Sequence, residues 1–119
     1  MGAEPDAERT ILLERWLELT RRVLPAMAAA QGWPIREDHC FMRVCLDAVA
    51  GAPWRQVIRP PAIRHMSEAQ LAAAVRVAQD IADRPDTLAA LNSQSLRQRR
   101  AAALETRRRA AGPNRDCTG

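Results

Sequence analysis

The chain of 119 residues contains no lysine; all 18 of its basic side chains are arginine. Every cation it can offer is therefore a planar guanidinium, suited to bidentate contact with carboxylate or phosphate. Aromatic residues make up only 3% of the sequence, so Ala, Leu, Val and Ile must fill most of any core. The three cysteines, Cys40, Cys45 and Cys117, contain no CxxC pair. Cys40 and Cys45 would point about 140° apart on a helix, which makes them poor disulfide partners. An odd cysteine count without framework spacing points to a reducing, cytoplasmic setting. No apolar run approaches the ~18–20 residues of a membrane-spanning helix. The stretch Met1-Gly2-Ala3-Glu4-Pro5-Asp6 is acidic and polar, unlike a secretory signal. Asp6 stands where a myristoylation pattern wants Ser or Thr. The only histidines are His39 and His65, with no HxxxH or CxxC spacing, so no metal site is expected. Neither GxGxxG nor GxxxxGK[ST] occurs, and Gly51-Ala52-Pro53 is no phosphate loop.

What is present suits one small globular domain: 47% of the residues are hydrophobic. The net charge of +4 is unevenly spread. Residues 1–38 carry five Arg against seven acids, residues 39–92 six against five, and residues 93–119 seven against two. The basic character therefore belongs to the C-terminal part.

Helical periodicity dominates. Ile11, Leu12, Trp16, Leu19 and Val23 predict a first helix over about 6–31, kinked or split into two pieces at Pro25 and stopped at Gly32. Asp38 is a candidate cap for a second helix over 38–50, closed by Gly51. A short turn is expected at 53–58, and an extended link at Pro60-Pro61. Ser67-Glu68-Ala69-Gln70 matches a capping box and opens a helix to about Arg84, with Leu71, Val75, Ala78 and Ile81 or Ala82 inward. A last helix after Pro85 turns Leu88, Leu91 and Leu96 inward. Residues 98–111 are helical only on Ala and Arg propensity, and 112–119 read as a loose end. The expected architecture is all-α: a domain of four or five helices over 1–97, then a frayed Arg-rich tail over 98–119.

The most informative segment is His39-Cys40-Phe41-Met42-Arg43-Val44-Cys45-Leu46-Asp47. His39, Arg43 and Asp47 fall at i, i+4 and i+8, within about 80° of one face of an otherwise apolar helix. Their placement is poor for an exposed helix. Asp47 lies toward the negative end, His39 toward the positive end, and Arg before Asp is the weaker order of pair. Three readings are open: an exposed pair, a buried network tying the helix to backbone carbonyls or to Arg55 or Arg64, or a ligand or catalytic site. In the last, Arg43 binds an anion, Asp47 orients Arg43 or His39, and His39 transfers protons. Cys40 and Trp54 would then line the site, Trp54 as a lid, although each also reads as packing.

The residues Gly32-Trp33-Pro34-Ile35, His39-Cys40-Phe41, Arg43, Leu46, Asp47, Gly51 and Trp54 resemble a group of short bacterial proteins. The similarity continues to Asn92, Ser95 and Arg97, and the group is associated with the label GNAT-superfamily N-acetyltransferase-like. That resemblance implies acetyl-CoA as the acyl donor and an acyltransferase reaction with His39 as base. The chain departs from the GNAT pattern: it has no [QR]xxGx[GA] loop and no evident sheet, which leaves acetyl-CoA to Arg43 and the arginines near it.

Three functional expectations follow. One is a helical module without a cofactor that binds a small anionic ligand or a protein partner at the His39/Arg43/Asp47 ridge. Another is the acetyl-CoA-dependent transferase implied by the resemblance. The third is nucleic-acid binding through Arg97, Arg99, Arg100, Arg107, Arg108 and Arg109.

Overall fold

A computed structural model describes the backbone of residues 5–118 and the side chains of residues 7–110. Expectations attached to the side chains of Met1–Asp6 and Cys117 fall outside that range; the loose end expected over 112–119 is instead helical as far as Thr118. The described residues are mostly helical, joined by short turns, with no strand among them. Helix α1 spans Pro5–Glu18, α2 Leu24–Gln31, α3 Asp38–Ala50, α4 Ala62–His65, α5 Glu68–Asp83 and α6 Thr87–Thr118.

Near Pro25 the first rod divides into two α-helices without the chain leaving helical structure. A π-helical turn at Leu19–Val23 joins α1 to α2 just before the proline. Proline has no N–H to donate and its ring crowds the carbonyl four residues back; widening the preceding turn relieves that clash while keeping the rod continuous. Gly32 ends α2 at φ 69°, in the left-handed region that a Cβ disfavours. In α3 the cap is shifted by one residue from expectation. Glu37, extended and without a side-chain cap bond, precedes the helix, and Asp38 is its first residue. The Asp38 carboxylate still accepts the His39 N–H at 2.8 Å.

The capping box forms as expected: Ser67 Oγ accepts the Gln70 N–H at 3.0 Å, and Gln70 Oε1 accepts the Ser67 N–H at 2.8 Å. Leu71, Ala74, Ala78 and Ile81 of α5 are fully buried against Trp16, Leu19, Phe41 and Val44. Each large aliphatic side chain buried this way stabilises the fold by about 1.5–3 kcal/mol. Trp33 closes over the start of α3, its ring tilted 60° on Phe41 with centroids 5.9 Å apart. The single-turn α4, unmarked in the sequence, is held by Arg9. Its guanidinium donates to the carbonyl oxygens of Met66 at 2.9 Å and Ile63 at 2.7 Å.

Helix α6 lies along α3 and continues past it. The boundary expected between residues 97 and 98 falls inside this helix. Leu88 is buried, but Leu96 is 46% exposed, against expectation, and the inward position is taken by Ser95. A polar contact explains that exchange: the Ser95 hydroxyl donates to the Asp47 carboxylate of α3.

Cys45 is wholly enclosed, and burial pushes its thiol from the ordinary 9.0 up to about 12. Between those values the folded protein keeps a proton that the unfolded chain has released. Stability therefore falls as pH rises through 9 and keeps falling toward 12, by up to about 1.4 kcal/mol per pH unit. The chain has no lysine and no tyrosine to obscure this window. We expect urea midpoints to drop steadily from pH 9 to pH 11, and Cys45→Ala to flatten that slope. An unchanged slope in Cys45→Ala would assign the titration to another group.

Candidate functional site

The ridge read from the sequence separates into three different environments. Asp47 turns inward and its side chain is fully buried. Arg43 is partly buried and crosses to α6, donating from Nη2 to Asn92 Oδ1 at 2.6 Å. His39 remains outside, its side chain 70% exposed beside Glu37 at 3.3 Å and Asp38 at 3.8 Å.

Asp47 has its four accepting positions filled. Oδ1 accepts the Trp54 N–H at 2.9 Å and Arg99 Nη2 at 3.0 Å. Oδ2 accepts the Ser95 hydroxyl at 2.6 Å and Arg99 Nε at 2.9 Å. A carboxylate offers roughly four such sites, so none is left for a substrate proton. The bidentate guanidinium supplies the counter-charge that a buried carboxylate requires. Asp47 therefore does not orient Arg43 or His39, nor does it reach Arg55 or Arg64; its partner is Arg99. The unfavourable position of Asp47 near the end of α3 is also accounted for. Its carboxylate caps the Trp54–Gln56 3-10 turn through the Trp54 N–H.

His39 and Asp47, expected as a catalytic pair, are not brought together. Eight residues apart on one helix, they are separated by about 12 Å of rise. Four of the five expected ridge and lining residues nevertheless share one feature. His39, Cys40, Arg43 and Trp54 line an open cleft of about 1050 Å³, and Asp47 lies behind its wall. The cleft is walled by α3, by the Trp54–Arg55 turn, by the Pro60–Ile63 corner and by Arg99 of α6. Trp16, Met42, Leu46 and Ile63 give it apolar surface. Its charged lining consists of Arg43, Arg55 and Arg99, with His39 at the edge and no carboxylate. Arg55 stacks over the Trp54 ring, 5.4 Å from the centroid. Among the described residues no acid forms an ion pair with Arg43 or Arg55, and no group of His, Cys, Asp and Glu has the makings of a metal site.

The sequence reading missed Asn92 and Ser95 as partners and assigned Arg99 to the tail. The signal was available. Asn92, Ser95 and Arg99 continue the inward i, i+3, i+7 stripe begun by Leu88, so polar residues occupy positions where apolar ones belong. Of the other tail arginines, Arg108 and Arg109 lie 3.7 Å and 3.3 Å from Glu105, while Arg97, Arg100 and Arg107 are exposed. Comparison with known proteins returns no match: no family model, curated protein or solved structure is similar to this chain.

We expect Asp47→Ala and Arg99→Ala each to destabilise the fold by about 3 kcal/mol or more in urea titrations, because each strands a buried partner. Arg99→Ala should be the worse, since Arg99, 36% exposed, can rehydrate when Asp47 is lost, whereas Asp47 cannot. The double variant should cost less than the sum of the two by over about 1 kcal/mol. His39→Ala should change stability by no more than about 0.5 kcal/mol. Strict additivity of the Asp47 and Arg99 substitutions would contradict the pairing.

Proposed function

We propose that the protein is a small helical binding module whose cleft takes an anionic, partly apolar small molecule. The anionic head, a carboxylate or phosphate, pairs with Arg43, and the apolar body lies on Met42, Leu46, Trp54 and Ile63. The observation that carries this reading is a cation without a counter-charge. Arg43 projects along the cleft with only a neutral amide for a partner, in a lining that contains three arginines and no acid. A guanidinium in that setting gains most from an incoming anion, because nothing of opposite charge has to be displaced. Arg99 presents its outer edge to the same space but is already neutralised by Asp47, so it contributes shape and donors more than net charge. Arg55, stacked on Trp54, adds a second unpaired cation at the rim.

Binding without chemistry suits the geometry better than proton transfer. Asp47 is saturated and walled off, and His39 faces solvent between two acids. The acetyl-CoA implied by the resemblance does not fit in the way a GNAT domain holds it. No strand and no pyrophosphate loop occur among the described residues, so any hold on its diphosphate falls to the three cleft arginines.

A thermal-shift series tests this reading. The ligands are octanoate, phenyl phosphate, inorganic phosphate, CoA and acetyl-CoA, with octanol and octylamine as uncharged and cationic controls. Octanoate or phenyl phosphate at a hundredfold its dissociation constant should stabilise the protein by about 2.7 kcal/mol, a melting shift on the order of 10 °C. Octanol and octylamine should do far less, and Arg43→Gln should abolish the anion effect. A response to acetyl-CoA but not to the simple anions would favour the transferase. No response to any anion, or an undiminished one in Arg43→Gln, would overturn the cleft assignment.

A further inference from the structure

Beyond Arg99, only one side of helix α6 still faces the body of the protein: Ala101, Ala102, Glu105 and Arg109 border a shallow groove with the Gly51–Gln56 turn. Nearly every residue from Arg100 to Ala110 is exposed, with Ala102 the exception. The radius of gyration, 17.3 Å, exceeds the roughly 13–14 Å expected of a compact chain this long. A helix rich in Ala and Arg with so little packing is a projecting rod, and its surface chemistry is what it presents to a partner.

That surface has a direction. Arg99 faces α3 through Asp47, which fixes the rotation of the helix. Taking Arg99 as zero and 100° per residue, Arg97, Arg100, Arg107 and Arg108 fall between about 80° and 180° around the axis. They therefore share one flank and the back of the helix, clear of α3, spread over about 16 Å of helix length. Arg97, Arg100 and Arg107 have neither an ion pair nor a side-chain hydrogen bond among the described residues. The single acid on residues 93–110, Glu105, is paired with Arg108 and Arg109. The outward face is consequently left with three unneutralised guanidinium groups and no carboxylate of its own.

We propose that this face of α6 binds the phosphate backbone of duplex DNA, without sequence preference, independently of the cleft. Arginine spaced along a free helix matches a polyanion in charge, and its fork matches phosphate oxygens. The rod, ~10–12 Å across with side chains, fits the major groove of B-form DNA, which is about 12 Å wide. Single strands are the poorer fit: α6 carries no aromatic residue on which an unpaired base can stack. The absence of base-reading polar groups between the arginines, where Ala101, Ala103 and Leu104 stand instead, leaves backbone contact as the mode of binding.

Fluorescence anisotropy of the full chain with a labelled 20-base-pair duplex tests the proposal. Three phosphate contacts imply that affinity falls about 40-fold between 50 mM and 200 mM salt. The triple variant Arg97→Gln/Arg100→Gln/Arg107→Gln alters only exposed, unpaired positions. It should melt like the parent, keep the cleft's response to octanoate and lose at least tenfold in duplex affinity at 50 mM salt. Arg43→Gln should bind the duplex unchanged, so the two sites fail or stand separately. No binding at 50 mM salt would overturn the proposal. So would a triple variant that binds like the parent, or equal affinity for polyglutamate or for a single strand of the same length.

Discussion

A carboxylate buried to zero exposure must be met by a cation, and that requirement organises this fold. Asp47 sits on the inward face of α3, and Arg99 meets it from a helix about fifty residues later in the chain. The helix α6 has no large apolar stripe of its own beyond Leu88 and Leu91. Without the Asp47–Arg99 fork, little would hold its middle against α3, because Ser95 in place of a leucine contributes a hydrogen bond rather than apolar area. Replacing such pairs by apolar residues is often neutral or stabilising in other proteins. The gain here is therefore register: one carboxylate fixes the rotation and the axial position of α6 and, through the Trp54 N–H, the turn that follows α3.

The same constraint builds the cleft. One turn before Asp47 on α3, Arg43 reaches Asn92, and the two ladders, Arg43–Asn92 and Asp47–Ser95–Arg99, ascend both helices in the same sense. Asp47 absorbs the charge of Arg99 and leaves that of Arg43 uncompensated. Trp54, placed by the Asp47 carboxylate, stands opposite with Arg55 stacked upon it. On the far side, Arg9 ties the carbonyls of Ile63 and Met66 to α1 and so fixes the corner that forms the remaining wall. A site whose walls come from four parts of the chain is thus held by Arg9, Arg99 and Asp47, all bound to other groups, while Arg43 and Arg55 are paired with no acid among the described residues. Preorganisation of this kind lowers the entropy lost when a ligand is ordered.

The helices were legible because periodicity and punctuation agreed. Ser67 and Gln70 marked the start of α5, and Gly32 and Gly51 the ends of α2 and α3, each through a local backbone requirement. The fault at Pro25 was legible in position and not in form, since a π turn is a response to crowding that no residue type announces. The ridge was noticed because Asp47 and His39 stand against the helix dipole. That anomaly had different causes at its two ends. Asp47 answers to a residue 52 positions away, and long-range pairing leaves no trace in local spacing. His39 answers to Glu37 and Asp38 beside it, which is a local solution that the i, i+4 pattern concealed. Leu96 was read inward by period, but the stripe had already shifted to Asn92, Ser95 and Arg99. Polar residues at core spacing are the sequence-level sign of a buried polar contact, and they identify the receiving helix without naming the donor.

The cleft and the outward face of α6 both present arginine, yet their distances keep them independent. Arg43 meets α6 at the level of Asn92. Arg97 lies only five residues further along, about 8 Å of rise, but points to the opposite side of the helix; Arg100 lies eight residues on and Arg107 fifteen, or about 12 Å and 22 Å of axial rise. At physiological ionic strength the screening length is about 8 Å. An anion in the cleft therefore feels little of the charge held at Arg107, and a phosphate backbone on the rod feels little of Arg43. The residue between them, Arg99, is neutralised where it stands, so it carries no field from one side to the other. What it does transmit is geometry. Any ligand that draws Arg99 off Asp47 leaves a buried carboxylate behind, and that penalty sets a limit on how deeply an anion can engage the α6 side of the cleft. An anion that paired with Arg43 and Arg55 and left Arg99 in place would keep the rod in its fixed rotation whether or not the cleft were filled.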